Sequence, residues 1–298
     1  MRCDRSRGAA LPFLLLALLA GCASGPDSRV DAILAAHPGK TIAVAYYDVG
    51  TGTTLLRNER ERFHAASTMK VPVMLGIFEA VTRGELSLDQ PVLVRNEFTS
   101  IFDGSKYTLE PREDSDAELY ALVGKELPLR ELVRRMEVRS SNLATNIVID
   151  LIGAKRVMRL MGEIGANDIQ VLRGVEDDKA YHAGMNNTTT AHDLMLVFRT
   201  LAEKRAVSAA ASEEMIEILA LQEHNDGIPA GLPAGTKVAH KTGWITSISH
   251  DAALVFRPDG TQYVLVVLTR GFTDSAVANQ VIAEISRVMW ETSVPHQG

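Results

Sequence analysis

Cysteine is scarce in this chain, with two residues among 298. That excludes a disulfide scaffold and a zinc-ribbon framework. Basic residues are not in excess either. The 31 Lys and Arg stand against 37 Asp and Glu, a formal net charge of −6, where a nucleic-acid binder would need a basic patch. The eight histidines form no His-x-His and no His-Glu-x-x-His pattern, so no metal is expected, and no cofactor. A Gly-x-Ser-x-Gly elbow is missing, which argues against the hydrolases built on that turn. His250-Asp251 does not replace it, because neighbouring strand residues face opposite ways and cannot act as one triad. Internal repeats are absent too. What remains is 46% hydrophobic and 23% charged, an ordinary globular composition. The length allows one large domain or two small ones, with room for a sizeable core.

The longest uncharged leucine-rich run is residues 9–20, which is too short to span a bilayer as a helix. It follows Arg2, Arg5 and Arg7 and ends Leu19-Ala20-Gly21-Cys22. A basic start, an apolar run and small residues before a cysteine resemble a bacterial lipoprotein signal. The resemblance implies removal of residues 1–21 and lipidation of Cys22, leaving 277 residues with a net charge of −8. Residues 22–28 then read as a tether. The protein is expected to be exported and held on the periplasmic side of the envelope by that anchor alone.

Residues 30–37 carry a short helical pattern closed by Pro38-Gly39. Residues 41–49 and 53–57 read as strands around a Gly50-Thr51-Gly52 turn. Residues 68–82 are apolar on nearly every side, as in a helix buried mid-domain, with Pro72 in its first turn. Helical stripes recur at Leu129 to Met136, at Leu143 to Ile152, over 191–201 behind Thr189 or Thr190 as N-cap, and over 212–221. Residues 96–124 are long, polar and acidic, either a surface excursion or a functional loop. Strand signals return at 237–240, 252–256 and 263–268, with Pro258-Asp259-Gly260 as a hairpin turn, before a last amphipathic helix over 275–290. The expectation is a mixed α/β fold of two domains. An antiparallel sheet is built from both chain ends (29–64 and 213–298) and flanked by helices, and an all-helical domain (65–212) is inserted between them.

Three short motifs carry chemistry. Ser67-Thr68-Met69-Lys70 is the only Ser-x-x-Lys in the chain and enters the buried helix. Three residues apart, serine and lysine share one helical face. Serine is a poor nucleophile until something takes its proton, and a buried lysine can be neutral enough to do so. Ser140-Ser141-Asn142 opens the next apolar helix, and Lys241-Thr242-Gly243 lies between strand segments. Each alone is a common capping or surface pattern. Together and in this order they resemble the penicillin-recognising serine enzymes, most closely class A β-lactamases and related serine hydrolases. Glu61-Arg62-Phe63 before the nucleophile, Asn187-Thr188-Thr189-Thr190 and His240-Lys241-Thr242-Gly243 add to the resemblance, which covers nearly all of residues 31–292.

The resemblance implies a β-lactamase/transpeptidase-like fold and an acyl-serine reaction on a β-lactam. Ser67 would be the nucleophile, Lys70 its base, and Ser140 the donor to the departing nitrogen. Asn142 would hold Lys70 and the substrate amide. Lys241 would supply positive charge, and Thr242 would bind the substrate carboxylate. The backbone N–H groups of Ser67 and Trp244 would form the oxyanion hole. Deacylation needs a base on the Ω-loop, placed near residues 173–187. The family's usual spacing after arginine lands on Val175. Separation from Ser140 favours Glu176, with Asp177 as the alternative. Ser141 replaces the family's Asp, Trp244 stands where a small residue is usual, and Asn187 replaces the loop-closing Asp. No arginine lies between Lys241 and Phe256 to help hold a carboxylate. The alternatives are a D-alanyl-D-alanine peptidase or transpeptidase, and a penicillin-binding protein that acylates without efficient turnover. The expected partner is a β-lactam or D-Ala-D-Ala-like peptide, with no nucleic acid, and the protein is expected to be a monomer.

Overall fold

The computed structural model describes residues 25–292. The signal segment and Cys22 lie outside them. Helix α1 (Pro26–Ala35) takes up the end of the segment expected to be a tether, so that expectation fails for residues 26–28. Proline in the first turn lacks only an N–H that the helix would leave unpaired. Val30 is the buried residue of α1, and Arg57 reaches both Asp27 (2.7 Å) and Asp31 (2.6 Å).

Strands β1 (Thr41–Asp48) and β2 (Thr54–Arg57) form a hairpin, followed by the two-residue β3 (Phe63–His64). A 3-10 turn (Ala66–Met69) leads into α2 (Lys70–Thr82). The middle of the chain holds α3 (Leu129–Val138), α4 (Asn142–Ile152), α5 (Ala154–Ile164), the short α6 (Asp178–His182), α7 (Ala191–Ala202) and α8 (Ala209–Leu219). It is not wholly helical, which corrects the expectation for 65–212. Strands β4 (Pro91–Leu93) and β7 (Glu126–Pro128) pair, as do β5 (Phe98–Thr99) and β6 (Lys106–Tyr107), and β8 (Thr188–Thr189) pairs with β3. The chain closes with β9 (Val238–Ile245), β10 (Ile248–Phe256), β11 (Gln262–Arg270) and α9 (Ser275–Thr292).

The main sheet has the order β2-β1-β11-β10-β9, antiparallel throughout, and so joins the two ends of the chain. Its central strands are buried on both faces, which is why they read as continuous apolar runs rather than alternations. Ala43, Ala45, Leu254, Val264, Val266 and Leu268 face α7 and the helical middle, in one continuous core with Met74, Ile77 and Phe198. Ile42, Val44, Val255, Leu265 and Val267 face Val30 and α9, with Ile282 and Ile285. Helix α5 has no counterpart among the sequence expectations. Its apolar residues Val157, Leu160 and Met161 recur at helical spacing between Gly153 and Gly165, both at positive φ.

Candidate active site

Ser67 lies in the 3-10 turn that ends at the start of α2, with Lys70 as the first residue of the helix. The preceding residue, Ala66, is held at φ +46°, a left-handed conformation that costs a residue with a Cβ roughly 1–3 kcal/mol. The surroundings impose it. Ala66 N–H donates to His64 Nδ1 (3.0 Å), and His250 binds the His64 carbonyl (3.0 Å). Burial pushes His250 down to about 4, so the ring is neutral and structural. Asp251 turns the other way, to His240 Nδ1 (3.0 Å) and the Ile228 N–H (2.8 Å). Neither residue reaches Ser67, as the strand alternation requires.

The strand β9 approaches this turn closely. A Cβ on Gly243 would lie 2.9 Å from the Ser67 nitrogen and 3.0 Å from that of Thr68. Only glycine lets the strand backbone pass there, and that contact brings the backbone of Trp244 beside that of Ser67. The Ser67 hydroxyl has no hydrogen-bond partner among the described residues and lines a cavity of about 580 Å³. Ser140, Asn142, Glu176 and Trp244 line the same cavity.

Two lysines lie fully buried beneath it. Lys70 Nζ donates to the Ser140 carbonyl (2.6 Å), Ser140 Oγ (3.2 Å) and Asn142 Oδ1 (3.0 Å). Lys241 Nζ donates to Ser140 Oγ (3.0 Å) and its neighbour's carbonyl at Thr242 (3.0 Å). Burial, and then the charge of Lys241, bring Lys70 down to about 7. Burial also lowers Lys241, against the pull of Glu137 and Asp251. Ser140 Oγ accepts from both lysines, so its own proton is left free to point into the cavity. Ser140 adopts φ +61° at the sharp junction of α3 and α4.

Asn142 links this pair to the Ω-loop. Its Oδ1 faces the Lys70 ammonium, while its Nδ2 donates to Glu176 Oε1 (2.6 Å). A cation on one side and a carboxylate on the other leave the amide only that orientation. Burial and the nearby Asp114 and Glu113 push Glu176 up to about 7, although the Asn142 bond pulls it down. Glu176 also sits at positive φ (+58°). Asp177 is committed elsewhere. It accepts from Ser100 Oγ (2.7 Å), the Ile101 N–H (2.9 Å) and, as cap of α6, the Ala180 N–H (3.1 Å). Both Glu176 and Asp177 line the cavity of Ser67, but of the two only Glu176 is bonded to Asn142.

A family model described as the Beta-lactamase enzyme family matches residues 25–293. The chain belongs to the beta-lactamase enzyme family. Among curated relatives it is 23% identical to the extended-spectrum beta-lactamase PER-1 of Pseudomonas aeruginosa, covering 84% of this chain and 82% of that one. It is 27% identical to a beta-lactamase of Streptomyces fradiae, over 89% of this chain and 85% of the other. The solved beta-lactamase of Sphaerobacter thermophilus DSM 20745 superposes with a TM-score of 0.76 at 28% identity, covering 91% of this chain and 98% of that one.

Against the beta-lactamase pattern, several departures have structural answers. Ser141 Oγ caps α4 through the Ala144 N–H (3.2 Å), but the missing carboxylate is supplied by Asp114. Its oxygens accept from the N–H groups of Asn142 (3.0 Å) and Leu143 (2.8 Å), and from Tyr120 Oη (3.0 Å). The acidic stretch 96–124 is therefore part of the site's scaffold, which the sequence left open. Asn187 closes the Ω-loop neck without charge. Its Oδ1 accepts from the Leu172 N–H (2.8 Å), and its Nδ2 donates to the Arg173 carbonyl (2.9 Å). Arg173 turns to the Met185 carbonyl (2.9 Å) and Asn186 Oδ1 (3.1 Å).

Sequence reasoning missed Asn146. One turn after Asn142 on α4, it accepts from the Val175 N–H (2.6 Å) and donates to the Val175 carbonyl (3.0 Å), pinning the residue before Glu176. Gly174 makes this possible, since a Cβ there would strike Asn146 Oδ1. The four-residue spacing from Asn142 was the available signal. Thr242 does not line the cavity of Ser67. Its Oγ1 is buried, without a hydrogen-bond partner among the described residues. It lines an adjoining cavity of about 210 Å³ with His224 and Asn279. The exposed Trp244 lines both cavities, and its ring meets that of His224 edge-on at 4.8 Å.

Proposed function

We propose that the protein is a serine β-lactamase that opens the β-lactam amide through an acyl-Ser67 intermediate and hydrolyses that ester with Glu176 as base. One observation carries this reading. Asn142, which lines the cavity of Ser67, bridges two groups held near neutral, Lys70 at 3.0 Å and Glu176 at 2.6 Å. One base serves acylation and the other deacylation, so the acyl-enzyme need not be a dead end.

In acylation, Lys70 in its neutral form takes the Ser67 proton, directly or through a relay. Ser67 Oγ then bonds to the lactam carbonyl carbon. Charge developing on the carbonyl oxygen is met by the N–H groups of Ser67 and Trp244. Ser140 gives its proton to the nitrogen as the C–N bond breaks, and the lysine cations that hold its oxygen ease that transfer. In deacylation, Glu176 removes a proton from water, which attacks the ester carbonyl; the C–Oγ bond breaks as Glu176 passes that proton to Ser67 Oγ, and Lys70 returns a proton to Ser140 Oγ, which it contacts at 3.2 Å. Lys241 supplies positive charge, and Thr242 is the group proposed for the substrate carboxylate. A chromogenic cephalosporin tests the reading. The wild type turns it over and Ser67→Ala does not; full activity in Ser67→Ala would overturn the mechanism.

The protein is further proposed to be exported and anchored through lipid on Cys22, on the strength of the basic, apolar and Leu-Ala-Gly-Cys pattern at its start. Cys22→Ser should move the protein from the membrane to the soluble fraction. Retention of the variant on the membrane would refute the anchor.

A further inference from the structure

Lys70 and Lys241 are both fully buried, and every hydrogen bond they make goes to a neutral oxygen. Two buried ammonium groups converging on one serine repel each other, and burial weakens the screening between them. A counter-charge is needed. Carboxylates that act on Lys70 are those of Asp114, Glu137 and Glu176, and those that act on Lys241 are Glu137 and Asp251. Glu137 is the one common to both.

The other three are occupied. Asp114 caps α4, Asp251 holds His240 and the Ile228 N–H, and Glu176 is bonded to Asn142. Glu137, in the last turn of α3 and three residues before Ser140, is fully buried. Both its carboxyl oxygens lack a hydrogen-bond partner among the described residues. Its backbone is fixed by Gln222 Nε2, which donates to the Glu137 carbonyl (2.8 Å). A buried carboxyl left without donors is costly, and a native structure that keeps one there calls for a reason.

We propose that Glu137 is the shared counter-charge of Lys70 and Lys241, a positioning residue that sets the protonation of both lysines around Ser140 without touching substrate. The charged groups that bear on it are Lys70 from α2 and Lys241 from β9. With the carboxylate present, Lys241 stays cationic beside Ser140 while Lys70 can still lose its proton near neutral pH. Without it, the ammonium forms of both lysines are disfavoured and both titrate at lower pH.

The inference rests on the proposed acyl-serine reaction for its meaning, but its test need not. The first measurement is the NMR titration of ε-13C-labelled lysines in the Ser67→Ala protein, which cannot be acylated. In Glu137→Gln on that background, the Lys70 and Lys241 midpoints should both fall, by about one pH unit for a single charge at this range. Glu137→Asp should restore them in part. Unchanged midpoints would overturn the proposal whatever the enzyme hydrolyses. The second is the pH dependence of Ser67 acylation by a fluorescent penicillin, whose two limbs should both move to lower pH in Glu137→Gln. A uniform loss of rate at all pH values would mark a merely structural role. Should Glu137→Gln fail to fold, the side-chain carboxyl of Glu137 is titrated by 13C NMR in the Ser67→Ala protein. Its midpoint must then lie above the ordinary glutamate range and appear as an inflection on both lysines. An ordinary midpoint, or no shared inflection, refutes the pairing.

Discussion

Replacing Glu176 by glutamine removes a charge and a proton acceptor while changing little else. The glutamine carbonyl can still accept from Asn142 Nδ2, which Glu176 Oε1 does at 2.6 Å, so the loop geometry should survive. In the proposed mechanism acylation runs through Lys70 and Ser140, and it should stay within a few-fold of wild type. Deacylation loses its general base, which is worth roughly 10²- to 10⁴-fold, or about 3–5 kcal/mol of barrier. Mixed with a chromogenic cephalosporin, the variant should give a burst of one chromophore per enzyme and then a slow phase. Intact mass should show the adduct.

Stability should move the other way. The Glu176 carboxyl is raised from 4.5 to about 7, so the folded protein holds its proton more tightly than the unfolded chain does. Its contribution is therefore most favourable below pH 4.5 and is lost as pH rises through 7. At 1.36 kcal/mol per pKa unit the full cost would be about 3 kcal/mol, and partial exposure of the side chain reduces that to about 1–2 kcal/mol. Glu176→Gln should thus melt several degrees higher than wild type at pH 8 and at about the same temperature at pH 4.5. Wild-type turnover with no adduct would move the base elsewhere. An equal gain at both pH values would show that the raised carboxyl is not its source.

Asn146→Ala frees the Val175 backbone, and should cost about 2–3 kcal/mol in urea unfolding while slowing deacylation more than acylation. Equal loss in both steps would place Asn146 outside the Ω-loop's control. Gly243→Ala drives a methyl to 2.9 Å from the Ser67 nitrogen. Labelling by fluorescent penicillin should fall about 100-fold or more with the fold kept, as judged by circular dichroism. Undiminished labelling would show that the strand can retreat. Asp114→Ala removes the carboxylate at the α4 N-terminus and should cost about 1–2 kcal/mol of stability together with kcat/KM. Neither loss would occur if Ser141 alone sufficed as cap.

The Ser67–Lys70 pair and the β9 motif, proposed for catalysis, could be picked out because their spacing is local. Ser67 and Lys70 sit three residues apart on one helical turn, and Lys241-Thr242-Gly243 lies on one strand. The main sheet was legible because apolar runs buried on both faces can go nowhere else in a domain. Helix α5 was not, although its spacing was there to be found at Val157, Leu160 and Met161. The Ω-loop base was ambiguous in sequence, since Val175, Glu176 and Asp177 are consecutive and a loop has no period. Contacts from other segments separate them: Asn142 takes Glu176, Asn146 takes Val175, and Ser100 takes Asp177.

The sequence by itself determined which groups can do covalent chemistry and in what order they come, because residue type and short spacing survive without a fold. It could not say which acid has which duty. Asp114, Glu137, Glu176 and Asp177 are chemically alike, and each differs only in what long-range packing brings against it. The fold makes the first a helix cap, leaves the second buried with no hydrogen-bond donor among the described residues, holds the third near neutral beside Asn142, and locks the fourth into a turn. A carboxyl's role is set by its desolvation and its partners, and here the deciding partners come from segments 28 to 104 residues away, which only the tertiary structure brings together.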